Sequence, residues 1–151
     1  MEIIPQLALV FILVFLNGFF VASEFALVAV RKTRIDELVK NGNKSARLVQ
    51  KAIKNLDTYI SATQLGITLA SLGLGWLGEP VIAKFLEPYL EIFLSEQIAF
   101  VSAHGVAIAI AFSLITILHI VLRELAPKSI AIQKAETTSH WIIRPLSLFT
   151  T

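Results

Sequence analysis

The chain has 151 residues, of which 56% are hydrophobic and 16% charged, with a formal net charge of +2. Soluble globular domains are about half apolar and a quarter charged, so this composition indicates an integral membrane protein. The absence of cysteine excludes disulfides and thiolate metal sites. Because the sequence also has no glycine-rich phosphate loop, nucleophile elbow or HExxH motif, we predict that the chain is not an enzyme.

A first membrane-spanning helix (TM1) is predicted over residues 1–30. From Ile3 to Val30 the one ionised side chain is Glu24, and as a helix this run is about 42 Å long. It is longer than the hydrocarbon core of a bilayer, roughly 30 Å, so we expect it to cross with a tilt. A cleaved signal peptide is the alternative, but the run is too long and has neither a basic start nor a small-residue cleavage site.

The segment 31–57 is predicted to form a juxtamembrane belt of amphipathic helices. Residues 31–55 contain eight of the thirteen Lys and Arg residues, which places this segment in the cytoplasm and the N-terminus outside. Asn41-Gly42 interrupts it, Asn43 or Ser45 can cap the helix that follows, and apolar residues then recur at helical spacing. We expect this basic helix to lie against anionic lipid headgroups. Because it lacks interleaved aromatic residues, no nucleic-acid partner is predicted.

Beyond the belt, the charged residues divide the chain into spanning and non-spanning segments. Two largely uncharged stretches approach the roughly 20 residues that a spanning helix needs, and the charged stretch between them, interrupted by Pro88, does not cross. The tail carries Trp141 and Arg144, which suit a membrane interface. The sequence thus predicts an all-α membrane protein with three spanning helices. Its segments after the belt are TM2 over 58–78, a non-spanning segment over 79–100, TM3 over 103–127 and a juxtamembrane tail over 128–151.

Each predicted span carries polar side chains along one side. At 100° per residue, Asn17 and Glu24 share a face of TM1, with Ser23 beside Glu24, and Ser113 and Glu124 share a face of TM3. In TM2 the polar residues lie within an arc of about 80°, and small residues lie on the other side, where we expect close helix packing. Three such stripes most simply meet at one polar cavity in the inner half of the membrane. The polar residues of TM2 are Ser61, Gln64, Thr68 and Ser71, and its small residues are Ala62, Gly66, Ala70 and Gly73.

The donors of this predicted cavity are oxygen atoms, which select hard cations such as Mg²⁺, Ca²⁺, Mn²⁺ or Na⁺. Pro127 has no N–H, so the carbonyl of Arg123 loses its helical partner, and broken helices of this kind supply cation ligands in transporters. An ordinary proline kink with an ion pair between Glu124 and Lys128 is the alternative. The predicted metal-binding set is Asn17, Ser23, Glu24, Ser61, Gln64, Thr68 and Glu124.

Three motifs of the sequence, LNGFFVASEFALVAVRKTRIDEL, SATQLGITLASLGLGWLGEP and LRELAPKSIA, together resemble the transmembrane domain of the CorC/CNNM family of magnesium and cobalt transporters. The resemblance extends from about Leu7 to Leu148. It implies three spanning helices, a short helix that does not cross, a juxtamembrane belt and assembly as a homodimer in the lipid bilayer. It also implies a cytoplasmic CBS-pair region, which this chain lacks and which we expect to follow it in a longer protein.

The resemblance also assigns residues to the ion pathway. By motif match it supports the seven residues of the predicted metal-binding set and adds Pro127 and Lys128 from a Gly-Glu-x-x-Pro-Lys pattern. Two positions depart from the pattern, since Val21 stands where many relatives have Ser and Arg123 replaces the usual Gly. Within TM1 we expect Ser23 and its backbone to bind the ion and Glu24 to support them.

The function that the resemblance implies is secondary transport of Mg²⁺, and of Co²⁺ in some relatives. Export coupled to Na⁺ by alternating access is expected, from a multi-pass protein of the inner (plasma) membrane, with Mg²⁺ as the bound substrate ion and Na⁺ as the coupling ion. The alternative is a Mg²⁺-sensing membrane scaffold that regulates another transporter and moves no ion itself. Simple anchoring would leave the three polar stripes unexplained.

Overall fold

The computed structural model describes residues 3–78, 81, 113, 116–117 and 120–150, and this part of the chain consists of helices and short turns without a strand. The all-helical fold class is therefore confirmed for these residues. The helices are α1 (Ile3–Ala29), α2 (Lys32–Lys40), α3 (Lys44–Lys54), α4 (Leu56–Gly73), α5 (Ala126–Gln133) and α6 (Ala135–Phe149), with π-helical turns at Leu74–Gly78 and Val121–Leu125.

Two of these helices are long and apolar enough to cross a membrane. They are Ile4–Ala29, with a mean hydropathy of 2.3, and Leu56–Gly78, with a mean hydropathy of 1.3. The second combines α4 with the π-helical turn that follows it. Most of the predicted TM3 and of the non-spanning segment over 79–100 lies outside the described residues, so the number of spans, the orientation and the dimer stay predictions.

Helices α1 and α4 pack closely side by side and run antiparallel. The ring of Phe20 covers Gly66 so closely that a Cβ atom built on Gly66 would lie 2.6 Å from three ring atoms, and a Cβ on Gly73 would lie 3.2 Å from Leu13. Partners therefore occur in reverse order along the two helices. The small residues of α4 thus allow the close packing that their spacing predicts, and the contact is made within one chain.

The belt helices enclose an apolar core of their own. The N-cap residue of α3, Asn43, accepts a hydrogen bond from the backbone N–H of Ala46 at 3.1 Å, and Gly42 takes a φ of +83° in the turn before it. The apolar side of α3 packs into one cluster with residues of α1, α2 and α6. The buried members of this cluster on the belt helices are Ile35, Ala46, Val49, Ala52, Ile53, Ile142, Ile143 and Leu146.

The apolar face of α3 packs against protein, because α2 and α6 supply apolar partners that the helix considered alone does not reveal. That its basic side lies against anionic lipid headgroups stays a prediction. The basic residues on its other side, Lys44, Arg47, Lys51 and Lys54, are exposed.

The chain does not break at Pro127. A π-helical turn over Val121–Leu125 leads directly into α5, where Pro127 lies in the first turn. The N–H of Ala126 donates to the carbonyl of Val121, five residues earlier. The hydrogen bonding therefore changes from the i−4 to the i−5 pattern just before Pro127, which has no N–H to donate. The chain therefore remains helical, whereas a broken helix was predicted. Gly18 of α1 provides the space beside this turn, since a Cβ there would lie 3.1 Å from Cγ of Pro127.

Candidate functional site

Asn17 joins α1 to α4 through its side-chain amide. Its Nδ2 donates to the carbonyl of Ile67 at 3.2 Å and to the hydroxyl of Ser71 at 3.0 Å, and only 1% of the residue is exposed. Two donor bonds use the N–H groups of the amide. Asn17 therefore holds the two helices together in this structure, while its carbonyl oxygen is the one atom of the side chain suited to a cation.

Glu24 lies two turns further along α1 and also meets α4. Its carboxylate is half-buried and lies within hydrogen-bonding reach of the Gln64 side chain. Within the described residues the ion pairs that occur are both formed by Arg34, so no described Lys or Arg neutralises Glu24. A half-buried carboxylate beside an amide, with no described cation to neutralise it, can accept a metal ion.

The other predicted ligands on these two helices are bonded to their own helix or exposed. Ser23 is fully buried, and its hydroxyl donates to the carbonyl of Phe19 at 2.7 Å. Thr68 is exposed and donates to the carbonyl of Gln64 at 2.8 Å, and Ser61 is exposed on the same helix. Hydroxyl groups bonded back to their own helix keep free lone pairs, so these side chains remain possible acceptors for a cation.

Glu124 lies in the π-helical turn that packs on α1, and it is exposed. It does not pair with Lys128, because the Nζ of Lys128 lies over the ring of Phe25 at 4.5 Å from its centroid. The ion pair between Glu124 and Lys128, which was the alternative interpretation of the segment around Pro127, is therefore not formed in this structure. The aromatic ring takes up the Lys128 cation, and the Glu124 carboxylate remains available.

Among the described residues, no three His, Asp or Glu side chains come close enough to hold a metal ion together. A fully dehydrated Mg²⁺ would need about six oxygen ligands. The described side chains instead form two separate polar contacts between α1 and α4. One contact, between Asn17 and Ser71, has its donors engaged, while the other, between Glu24 and Gln64, has a carboxylate without a cation.

A polar cleft of about 600 Å³ lies where α2 meets α5 and α6. Arg34 donates to Glu37 at 2.8 Å and to Glu136 at 3.3 Å, and these two carboxylates raise the pKa of the Arg34 guanidinium, Glu37 through its hydrogen bond most of all. Because Arg34 is already engaged by two carboxylates, it is not available to bind an anionic ligand. The lining polar residues are Arg31, Thr33, Arg34, Glu37, Gln133 and Glu136.

Sequence reasoning predicted close packing at Gly66 but did not identify the Phe20 ring as its partner. It missed two contacts around the site, Gly18 beside Pro127 and Lys128 over Phe25. A glycine directly after Asn17 was a usable signal of close approach by another chain segment. The position of Lys128 had no comparable signal, because it depends on how α5 packs on α1.

Similarity to known proteins covers nearly the whole chain. The family model described as the cyclin M transmembrane N-terminal domain matches residues 8–151. UPF0053 protein YhdT of Bacillus subtilis is 51% identical over 99% of this chain, and UPF0053 protein YugS of the same organism is 46% identical over 97%. Uncharacterized protein Rv1841c of Mycobacterium tuberculosis is 32% identical over 99%. The aligned region is 32%, 34% and 41% of these three relatives respectively, so the chain spans a minor part of their length.

Proposed function

Because the chain belongs to the CorC/CNNM family, the family of the cyclin M transmembrane N-terminal domain, we propose that it is the membrane domain of a Mg²⁺ transporter. Its direction is export, coupled to Na⁺, and Co²⁺ is a secondary substrate. The protein acts as a homodimer in the plasma membrane, together with a cytoplasmic CBS-pair region in the longer protein.

The observation that carries this proposal is the contact between Glu24 and Gln64. An ionisable side chain within a spanning helix is expensive unless it has a function or a partner. Glu24 is half-buried between two helices and has an amide partner, but no described cation balances its charge. A transported Mg²⁺ or Na⁺ supplies that charge.

The ion binds here with modest affinity and keeps part of its water shell. Mg²⁺ loses water reluctantly, and Asn17 and Ser23 already form hydrogen bonds within the protein. In place of the Ser23 site expected from sequence, Glu24 is proposed as the ligand in α1, because the Ser23 hydroxyl already donates to the carbonyl of Phe19. Glu124 is a second carboxylate that meets the ion when the pathway rearranges. Ser61, Gln64 and Thr68 complete the pathway through α4.

The alternative, a Mg²⁺-sensing scaffold, is favoured by one observation. The predicted ligands of α4, Ser61, Gln64 and Thr68, are all exposed and are not enclosed by the described part of the chain. A protein that binds the ion at a surface without a continuous pathway would have this arrangement. Binding without flux is the result that this alternative predicts.

Flux measurements in liposomes test both functions. The chain is reconstituted into liposomes that contain a Mg²⁺-sensitive dye, and wild type is compared with Glu24→Gln, Glu124→Gln and the exposed belt variant Glu37→Gln as a matched control. We expect each of the first two substitutions to lower Mg²⁺ flux about tenfold or more, because a charged hydrogen bond contributes about 1.5–3 kcal/mol and 1.4 kcal/mol is a factor of ten. Glu37→Gln should leave the flux unchanged.

The outcomes test the site assignment and the transport function separately. Normal flux in both Glu24→Gln and Glu124→Gln would overturn the site assignment. If folded wild type binds Mg²⁺ but moves none under any Na⁺ gradient, the scaffold function replaces transport.

A further inference from the structure

Helix α6 buries one side in the belt core and leaves large apolar side chains exposed on the opposite side. One side is buried in the belt core through Ser139, Ile142, Ile143 and Leu146. On the other side Trp141 is 84% and Leu148 82% exposed, and Arg144 is also exposed. At 100° per residue these three lie within an arc of about 60°. The described part of the chain thus leaves a stripe of Trp, Arg and Leu uncovered on a helix whose other side is fully packed.

The position of α6 along α1 places the two ends of this stripe at different depths. Near its N-terminal end, Glu136 accepts a hydrogen bond from Arg34, beyond the end of α1. At its C-terminal end, the ring of Phe149 lies 5.0 Å from the ring of Phe20. Phe20 precedes the last residue of α1, Ala29, by nine positions, or about 14 Å along the axis. Helix α6 therefore rises beside the spanning segment of α1 and does not lie below it.

The polarity of the exposed stripe changes along α6 from its N-terminal to its C-terminal end. From the N-terminal end it presents Thr137, then Trp141, then Arg144 and finally Leu148. Water, headgroups and acyl chains follow one another in this order across a membrane leaflet, and Trp is enriched at the headgroup level. Helical side chains point towards the N-terminus of their helix, so the Arg144 guanidinium extends back towards the headgroups while its methylene groups remain in the apolar layer.

We propose that the exposed stripe of α6, Thr137–Trp141–Arg144–Leu148, is a lipid-binding surface. Trp141 lies at the headgroup boundary, Arg144 contacts a lipid phosphate, and Leu148 reaches the acyl chains of the same leaflet. The occupant is lipid because the stripe is continuous in depth with the apolar surface of α1 and its polarity changes in the order of a leaflet. This surface does not depend on whether the protein moves an ion.

Tryptophan fluorescence with brominated lipids tests this surface directly. The chain has two tryptophans, Trp76 and Trp141, so Trp76→Phe leaves Trp141 as the sole probe in reconstituted liposomes. Two further probes carry Leu148→Trp or Thr137→Trp in a background of Trp76→Phe and Trp141→Phe. The matched control, Trp141→Phe, retains Trp76 on the exposed side of the second spanning helix. Quenching is compared between lipids brominated near the headgroup and lipids brominated near the chain end, and iodide measures access from water.

The expected result is a graded series. Leu148→Trp should be quenched by the deeper bromines, Trp141 mainly by the shallow ones, and Thr137→Trp mainly by iodide. Emission should shift to shorter wavelength in the order 137, 141, 148, and Arg144→Gln should reduce the retention of anionic lipid during purification. Iodide quenching of all three probes without bromine quenching would overturn the proposal in favour of water. Protection of Trp141 and the Leu148→Trp probe from both quenchers would overturn it in favour of a protein partner, such as a second copy.

Discussion

The two halves of α1 are both rich in apolar residues but have different surroundings. In the N-terminal half, which the predicted orientation makes the outer half, Ile4, Phe11 and Phe15 are 76%, 69% and 84% exposed. In the inner half, Phe20 and Leu27 are buried in one cluster with residues of α3, α4, α5 and α6. The outer half is therefore packed on one side only, while the inner half is the centre of a protein core.

This difference shows that hydropathy measures how apolar a segment is but not what it contacts. Lipid and a protein core both favour apolar side chains, and α1 uses the two environments in succession. The polar residues Asn17, Ser23 and Glu24 all lie in the enclosed half. A carboxylate is tolerated in this helix because protein covers it in part and an amide from α4 is within reach.

The largest expected effect comes from truncating an apolar side chain in the enclosed half. Leu27→Ala should lower the free energy of unfolding by about 2–5 kcal/mol, because it creates a cavity in a packed core. Phe15→Ala, on the outer half of the same helix, should change it by only about 0.5 kcal/mol. Unfolding in mixed micelles of mild detergent and dodecyl sulfate measures both. A loss for Phe15→Ala as large as that for Leu27→Ala would mean that protein also covers the outer half.

A smaller effect is expected from adding a methyl group at Gly66, where the Phe20 ring of α1 fits against α4 (the Gly66 notch). Gly66→Ala places a Cβ against the ring of Phe20, and such overpacking costs about 1–3 kcal/mol. This outweighs the gain of about 1 kcal/mol that Gly→Ala gives in a helix interior. Gly75→Ala is the matched control, because nothing lies within 4 Å of its Cβ position. The same unfolding assay should show a loss for Gly66→Ala alone, and equal behaviour of the two variants would contradict the close packing.

The smallest effect is expected for the hydrogen bond between Asn17 and Ser71. A double-mutant cycle of Asn17→Ala and Ser71→Ala should give a coupling of about 0.6 kcal/mol and no more than about 1.7, the range for polar contacts between membrane helices. Repeating the cycle with Mg²⁺ tests whether Asn17 also binds the ion. A coupling that falls as Mg²⁺ is added would assign Asn17 to the ion pathway, and an unchanged coupling would restrict it to helix packing.

Much of the local structure was predictable from sequence because it depends on local rules. The long apolar run gives α1, and the second apolar run gives the helix over Leu56–Gly78. Asn43 caps α3 as its position predicts, and the glycines of α4 mark the side that packs on α1. Periodicity and capping require only neighbours in sequence, so they can be read before the tertiary contacts are known.

The features that sequence reasoning missed depend on partners far away in sequence. The apolar side of α3 could have faced lipid or protein, and the decision rests on Ile143 and Leu146 of α6, about a hundred residues later. Lys128 could pair with Glu124 by spacing, but its choice of Phe25 depends on how α5 docks on α1. In the candidate site, the shared face of Asn17 and Glu24 was predictable, whereas their separate partners on α4 were not.

The Phe20 ring in the Gly66 notch also limits how the molecule can move. The ring fixes the register of the two helices, because sliding α1 along α4 by one residue would bring the Phe20 ring into collision with a side chain next to Gly66. We therefore expect the inner halves of the two helices to keep this register when the molecule moves. For an ion path of the kind proposed above, we expect the rearrangement beside the contact between Gly18 and Pro127, next to a π-helical turn, and not at this notch.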